Sequence, residues 1–361
     1  MSTLSSRLSV ASHLTVLTEM DEWSASTRYR ALQHVPRFRR FFDSVEVSLP
    51  RDTVKREPGW TGQLGYFSTH AWRYAQRRAN LPRVIEFSDA LFVQRGLYAL
   101  GPGLIVRTLD RFSGRLVFDL DDAVFQVSPS LAQRGSAARW LYGPQQALNL
   151  MRRADAIVVS TTALAEMLPD GLPTPTILPT IPDTSRYKVV NHDSRLPVLV
   201  GWAGNGGSIG YLDPLRDTFR HLAQRGLAQL EVVSSQPWSG RSAFRPWRLA
   251  EETSIFDRFS IGIMPLPDTP YTRAKAGFKL LQYMAAGVPV VASPIGVNRQ
   301  LVQESEAGFL ADSPVEWYDA LVELAKRPDL RRDMGRRGRA FVERYADLDE
   351  HALILSRLLA G

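Results

Sequence analysis

Eleven short apolar or β-branched runs, separated by stretches with helical spacing, restrict what this chain can become. They fall at residues 13–18, 44–49, 90–95, 115–120, 155–160 and 175–179, and again at 197–203, 229–235, 260–266, 288–293 and 307–311. Short continuous apolar runs suit strands covered on both faces. Strands that alternate with helices imply doubly wound parallel sheets. The Pro-rich, polar stretch Pro173 to Pro197 parts two such series. The expectation is therefore an α/β protein of two domains, the first over 1–185 and the second over 195–340. The pattern Phe341, Tyr345, Leu348, Ala352, Leu355 adds an amphipathic C-terminal helix, expected over 341–361.

Length and composition agree. At 361 residues the chain exceeds one ordinary core. Its 44% hydrophobic and 22% charged content is that of a soluble globular protein. No apolar run reaches the roughly 18–20 residues of a membrane span. The start, MSTLSSRLSVASH, lacks the apolar core of a secretory signal, so a cytoplasmic location is expected. With no cysteine, disulfides, thiolate metal sites and cysteine nucleophiles are excluded. The six histidines show no metal-ligand spacing, and no metal or cofactor is expected. The net charge of +7 rests on arginine, since only 5 of the 44 basic residues are lysine. It permits nucleotide, nucleic-acid or anionic-membrane partners without choosing among them.

In open α/β sheets ligands bind beyond the carboxyl ends of strands. That rule singles out the loops Glu19–Ser26, Gln94–Gly96, Asp119–Asp122, Gly204–Gly210, Pro267–Lys275 and Ser293–Asn298. Most of the polar chemistry of the chain lies in them.

The densest signal is KAGFKLLQYMAAGVPVVASPIGVN, Lys275 to Asn298. Read as a helix starting at Lys275, it places Lys275, Lys279 and Gln282 (i, i+4, i+7) on one stripe of an otherwise apolar surface. Lysines in a first turn weaken the helix itself and suit a bound diphosphate. A solvated polar face is the competing reading. Gly204, Gly206 and Gly207 would let a loop backbone approach phosphate, with Asn205 and Ser208 as hydrogen-bond donors.

IGIMPLPDTPYTRAKAGFKLLQYMAAGVPVVASPIGVN (261–298), AGFLADSPVEWYDAL (307–321) and RRDMGRRGRAFVERYA (331–346) resemble the C-terminal domain of the family-4 glycosyltransferases, the glycosyl transferases group 1. WAGNGGSIGYLDPL (202–215) looks like that domain's first strand and loop, and DLDDAVF (119–125) like an N-domain loop of one branch. The likeness is good over roughly the last 165 residues and weak before them. It implies the GT-B architecture: two Rossmann-like doubly wound domains facing across a cleft. The second would hold a nucleotide sugar, the first most of the acceptor, and the last helix would cross back to the first. It also implies transfer with retention of configuration and without a metal ion. Two features depart from the family pattern. Ala274 and Gln282 stand where an acidic pair is usual, and Asn205-Gly-Gly-Ser208 replaces a basic pair.

The resulting expectation is a metal-independent hexosyltransferase using a nucleoside-diphosphate sugar. Lys279 would act catalytically on the diphosphate, and Gly204, Asn205, Ser208, Arg273, Lys275, Lys279 and Gln282 would bind the donor. Asp121 or Asp122 would receive the acceptor hydroxyl's proton or bind sugar hydroxyls, and Arg28 and Arg95 would meet the acceptor. In the first loop, EMDEWSASTRYR, Ser24 or Ser26 is expected to cap a helix. VPRFRRFF (35–42) and HAWRYAQRRANLPR (70–83) mix Arg with aromatic rings and could lie on an anionic membrane surface. The acceptor would then be a lipid-linked saccharide in polysaccharide assembly, with the protein peripheral on the inner face of the plasma membrane. A nucleotide-sugar epimerase and a non-catalytic nucleotide-sugar or partner binder remain as alternatives. Nucleic acid is not expected as a partner.

Overall fold

The computed structural model describes residues 13–50, 60–98, 103–126 and 144–361. The N-terminal segment in which no secretory signal was expected, residues 1–12, lies outside them. The chain divides into two compact units, Met1–Thr180 with Leu348–Gly361, and Ile181–Asp347.

The first unit is built on a parallel sheet: β1 (His13–Thr18), β2 (Ser44–Ser48), β3 (Ala90–Gln94), β4 (Arg115–Leu120), β5 (Ala156–Val159) and β6 (Thr176–Ile177), in the order β2-β1-β3-β4-β5-β6. Each strand expected here from sequence is present. β3 and β5 are buried from end to end, as strands with helices on both faces must be. In register, Val16 stands beside Phe92, and Phe92 beside Val117. These side chains join Phe38 from helix α1 (Val35–Phe38) in one core. The last helix of the chain, Leu348–Ala360, adds Leu355 and Leu359 to that core.

The second unit repeats the plan with β7 (Val198–Ala203), β8 (Ala228–Ser234), β9 (Ala243–Pro246), β10 (Ile261–Met264), β11 (Val290–Ala292) and β12 (Gly308–Leu310), in the order β12-β11-β10-β7-β8-β9 and all parallel. The edge strand β9 was not anticipated. Its segment AFRP is largely exposed and so carries no apolar pattern. The helix Pro328–Tyr345 runs unbroken past residue 341. The terminal element expected over 341–361 is therefore the end of that helix plus the separate helix Leu348–Ala360.

Strand order reverses between β1 and β3 in the first sheet and between β7 and β10 in the second. Such switch points leave a crevice outside the carboxyl ends of the strands. The segments after β1, β3 and β4, and those after β7 and β10, hold the candidate residues.

Candidate functional sites

In the second unit, β7 ends in Trp202 and Ala203, and Gly204 begins the loop beyond it. Trp202 is 1% exposed. The helix Phe278–Ala285 brings Lys279 to this strand end. Its Nζ lies 4.7 Å from the centroid of the Trp202 ring. The space beside the ammonium exists because residue 204 has no side chain: a Cβ there would stand 2.8 Å from Nζ. Among the described residues no carboxylate lies within ion-pairing distance of Lys279. Burial, with the Lys275 ammonium adding to it, pushes the Lys279 amine down to about 7.

The same helix is clamped to β7 by Tyr283, whose hydroxyl donates to the Gly201 carbonyl (3.0 Å) and accepts from the Ala203 amide (3.1 Å). Phe256 packs edge-on to the same ring. The sequence reading placed Tyr283 only in the apolar surface of the helix. Its polar end fixes the height of Lys279 over the strand, and nothing in its spacing announces that.

The helix does not begin at Lys275. A short helix, Pro270–Arg273, ends first, and Gly277 at φ 65° turns the chain before Phe278. The left-handed φ is one that glycine adopts without steric cost. Lys275 therefore sits in the connection, and the i, i+4 stripe with Lys279 is not formed. Its Nζ lies 4.7 Å from the centroid of the Tyr271 ring. Arg273 is exposed and bridges to Asp268 through bonds of 2.5 and 2.8 Å. Gln282 is buried and donates its amide to the Tyr187 hydroxyl at 3.0 Å.

Asn205 and Ser208 bond to each other within the loop. Asn205 caps the 3₁₀ turn that starts at Gly206, its Oδ1 accepting from the Ser208 amide at 3.0 Å. The Ser208 N–H is thus consumed within the loop. Gln236 steadies the same turn by donating to the Gly206 carbonyl.

In the first unit a polar cluster gathers at the switch point. Arg95 follows β3 with a left-handed backbone (φ 68°). Its guanidinium pairs with Glu19 at 2.7 Å and lies 3.7 Å from Asp121 and 3.8 Å from Asp122. Burial pushes the Glu19 carboxyl up, while Arg95 pulls it down. Asp121 Oδ2 accepts from the Ser26 hydroxyl, and Ser26 Oγ accepts from the Gln94 amide at 2.9 Å. Ser26 does not cap a helix, since its hydroxyl is committed to Asp121. Asp119 behaves differently from its neighbours. It is 1% exposed and forms a two-nitrogen bridge with Arg30, which is 3% exposed and also donates to the Leu178 carbonyl. Burial raises the Asp119 carboxyl, opposed by Arg30. This pair is structural. Arg28 donates to the Glu22 carbonyl and stacks beside Tyr29. Glu19 and Gln94 lie in loops that the sequence singled out, but their side chains were not picked.

Among the described residues no group of three potential metal ligands occurs, and no helix is long and apolar enough to cross a membrane. The segment 35–42 does not present its rings outward. Phe38 and Phe42 are core residues, and Arg37 and Arg40 pair with Asp349. In helix α2 (Trp60–Glu86), Trp72 is exposed, whereas Arg77 is buried and bonded to the Leu97 and Ser48 carbonyls.

A family model for the glycosyl transferases group 1 matches residues 220–327. No curated protein matches the chain. Among solved structures, Anabaena HepE in complex with UDP and glucose superposes with a TM-score of 0.68 at 14% identity, covering 98% of this chain and 100% of that one. Sucrose-phosphate synthase from Thermosynechococcus elongatus gives 0.64 at 15% identity, with 96% and 97% covered. An alpha-glucosyltransferase in complex with UDP-glucose and DNA containing an abasic site gives 0.66 at 11% identity, with 96% and 99% covered. These likenesses establish the fold. It is the α/β GT-B type, with two Rossmann-like domains.

Proposed function

We propose that this protein is a glycosyltransferase that moves a sugar from a nucleoside-diphosphate sugar to an acceptor hydroxyl, with retention and without a metal ion. The observation that carries the reading is Lys279: a cation with no carboxylate partner among the described residues, at the switch point of a Rossmann-like sheet, between Trp202 and Gly204. Departure of a nucleoside diphosphate develops negative charge on the β-phosphate, and a preorganised ammonium there lowers the barrier. Lys275 adds positive charge nearby, and Gln282, its amide nitrogen bonded to Tyr187, offers its oxygen to ribose hydroxyls. The matched family model covers this helix, and the structural neighbours include proteins solved with UDP or UDP-glucose. Asp121 or Asp122 would serve the acceptor from the first unit.

Transfer from a panel of nucleotide sugars tests the reading. Lys279→Ala should cut turnover about 10²- to 10³-fold, the size of losing one preorganised charge donor. Near-normal turnover at saturating donor would remove the central assignment. Epimerised donor appearing without acceptor would indicate an epimerase instead. A non-catalytic nucleotide-sugar binder is the second reading, favoured by the internal use of Asn205, Ser208 and Gln282; binding of UDP without turnover of any donor would select it. For the acceptor we propose a lipid-linked saccharide. Trp72 and Arg78, both exposed on α2, support contact with an anionic surface. Sedimentation with phosphatidylglycerol vesicles, lost in Trp72→Ala, is the check.

A further inference from the structure

Asp121 is held from one side by a directed chain of hydrogen bonds. Gln94, fully buried at the end of β3, donates its amide to Ser26 Oγ at 2.9 Å. Ser26 Oγ in turn donates to Asp121 Oδ2. The polarity of the chain is set by chemistry. An ionised carboxylate only accepts, so the hydroxyl proton must point at Asp121, and the group behind Ser26 must then be a donor. The Gln94 amide nitrogen meets that demand. The Asp121 backbone is fixed as well, because Ser160 Oγ donates to its carbonyl at 3.2 Å. The second carboxylate oxygen, Oδ1, is buried without a hydrogen-bond donor, and Arg95 at 3.7 Å supplies charge but no bond. A buried acceptor lacking a donor is costly.

We propose that Ser26, backed by Gln94, is a positioning residue that fixes the partly exposed Asp121 carboxylate so that it accepts a hydrogen bond from a hydroxyl of the sugar-accepting substrate. This rests on the transferase reading for what the hydroxyl belongs to, but the chain of bonds itself does not. Glu19 and Arg95 complete the surroundings: their pairing holds the guanidinium 3.7 Å from Asp121, where it supplies positive charge. Asp119, two residues earlier, cannot take this part, because Arg30 occupies both of its oxygens.

Two measurements test the proposal, and they fail independently. In a ¹⁵N–¹H spectrum the Gln94 side-chain amide, identified by its loss in Gln94→Leu, should shift in both Ser26→Ala and Asp121→Asn. An unmoved resonance overturns the chain of bonds, whatever the enzyme does. In transfer from UDP-glucose to a panel of monosaccharides, Ser26→Ala should raise the acceptor KM about 10- to 100-fold, as expected for a lost hydrogen bond to a charged group. The KM for UDP-glucose should stay put, and Ser26→Thr, which keeps the hydroxyl, should restore the acceptor KM. An unchanged acceptor KM in Ser26→Ala, or equal losses for both substrates, overturns the positioning role. A wild-type protein that transfers nothing from any nucleotide sugar would count against the proposed function, and the spectrum would still decide the arrangement around Asp121.

Discussion

Lys279 and Gly204 are matched to each other: a Cβ on residue 204 would stand 2.8 Å from the lysine nitrogen and 2.5 Å from the Trp202 ring. The niche for the ammonium therefore depends on a missing side chain. Gly204→Ala should displace the lysine and lower affinity for a nucleoside diphosphate by about tenfold or more, with about 1–3 kcal/mol of overpacking cost in stability. Calorimetric titration with UDP and thermal melts would measure the two effects separately.

The lowered Lys279 pKa makes binding a proton-linked event. With the amine at about 7, much of the free protein is neutral there at pH 8. A diphosphate favours the ammonium, so binding at pH 8 should take up a proton. Affinity should fall as pH rises through about 7. Titrations in buffers of different ionisation enthalpy report the uptake directly, and Lys279→Arg, which stays charged, should abolish it.

The same lysine should cost stability. Its folded pKa is below the unfolded value of 10.5, so between about 7 and 10.5 the unfolded chain binds more protons and stability rises with pH. Below 7 the full penalty of the buried charge applies. Lys279→Met should therefore raise Tm most at pH 6, by an amount that shrinks toward pH 10, while it removes diphosphate binding. A uniform or opposite change would contradict the assigned burial.

Asp119 and Asp121 should separate stability from chemistry. Asp119→Ala leaves the Arg30 guanidinium buried without its carboxylate, a change that costs about 3–5 kcal/mol. Asp121→Asn keeps shape and removes charge at a partly exposed side chain, so Tm should move little while transfer falls by about 10²-fold or more. Denaturant melts alongside turnover would show whether the two losses part in this way.

His34 should make the first unit acid-sensitive. Burial holds its imidazole well below the usual value, with His351, Arg30 and Arg37 pushing the same way. The two imidazole rings stack 6.3 Å apart. As pH falls through 6.5, the unfolded state takes up a proton that the folded state refuses, and stability declines down to the folded pKa. His34→Phe should flatten the fall in Tm between pH 7 and 5; an unchanged slope would place the acid sensitivity elsewhere.

How much was legible in the chain follows from where each signal resides. Strands such as ALFVQ at 90–94 declare themselves because burial on both faces demands apolar residues in succession. Strand β9 did not, since an exposed edge makes no such demand. The loops at the strand ends were also legible, because parallel sheets put all their carboxyl ends together. The helix start was misplaced by three residues. Helical spacing from Lys275 is formally satisfied, and only the left-handed backbone at Gly277 rules it out.

The chain alone determined two wound sheets, the loops at the carboxyl ends of their strands, and Lys279 as the residue to watch. These follow from local composition and from the geometry of parallel strands. Only tertiary structure decided which carboxylate is which. Asp119 and Asp121 are the same residue type two positions apart, yet Arg30, 89 positions away, neutralises one and Ser26, 95 positions away, orients the other. Charge partners and hydrogen-bond direction are contacts between distant segments, and no local pattern encodes them.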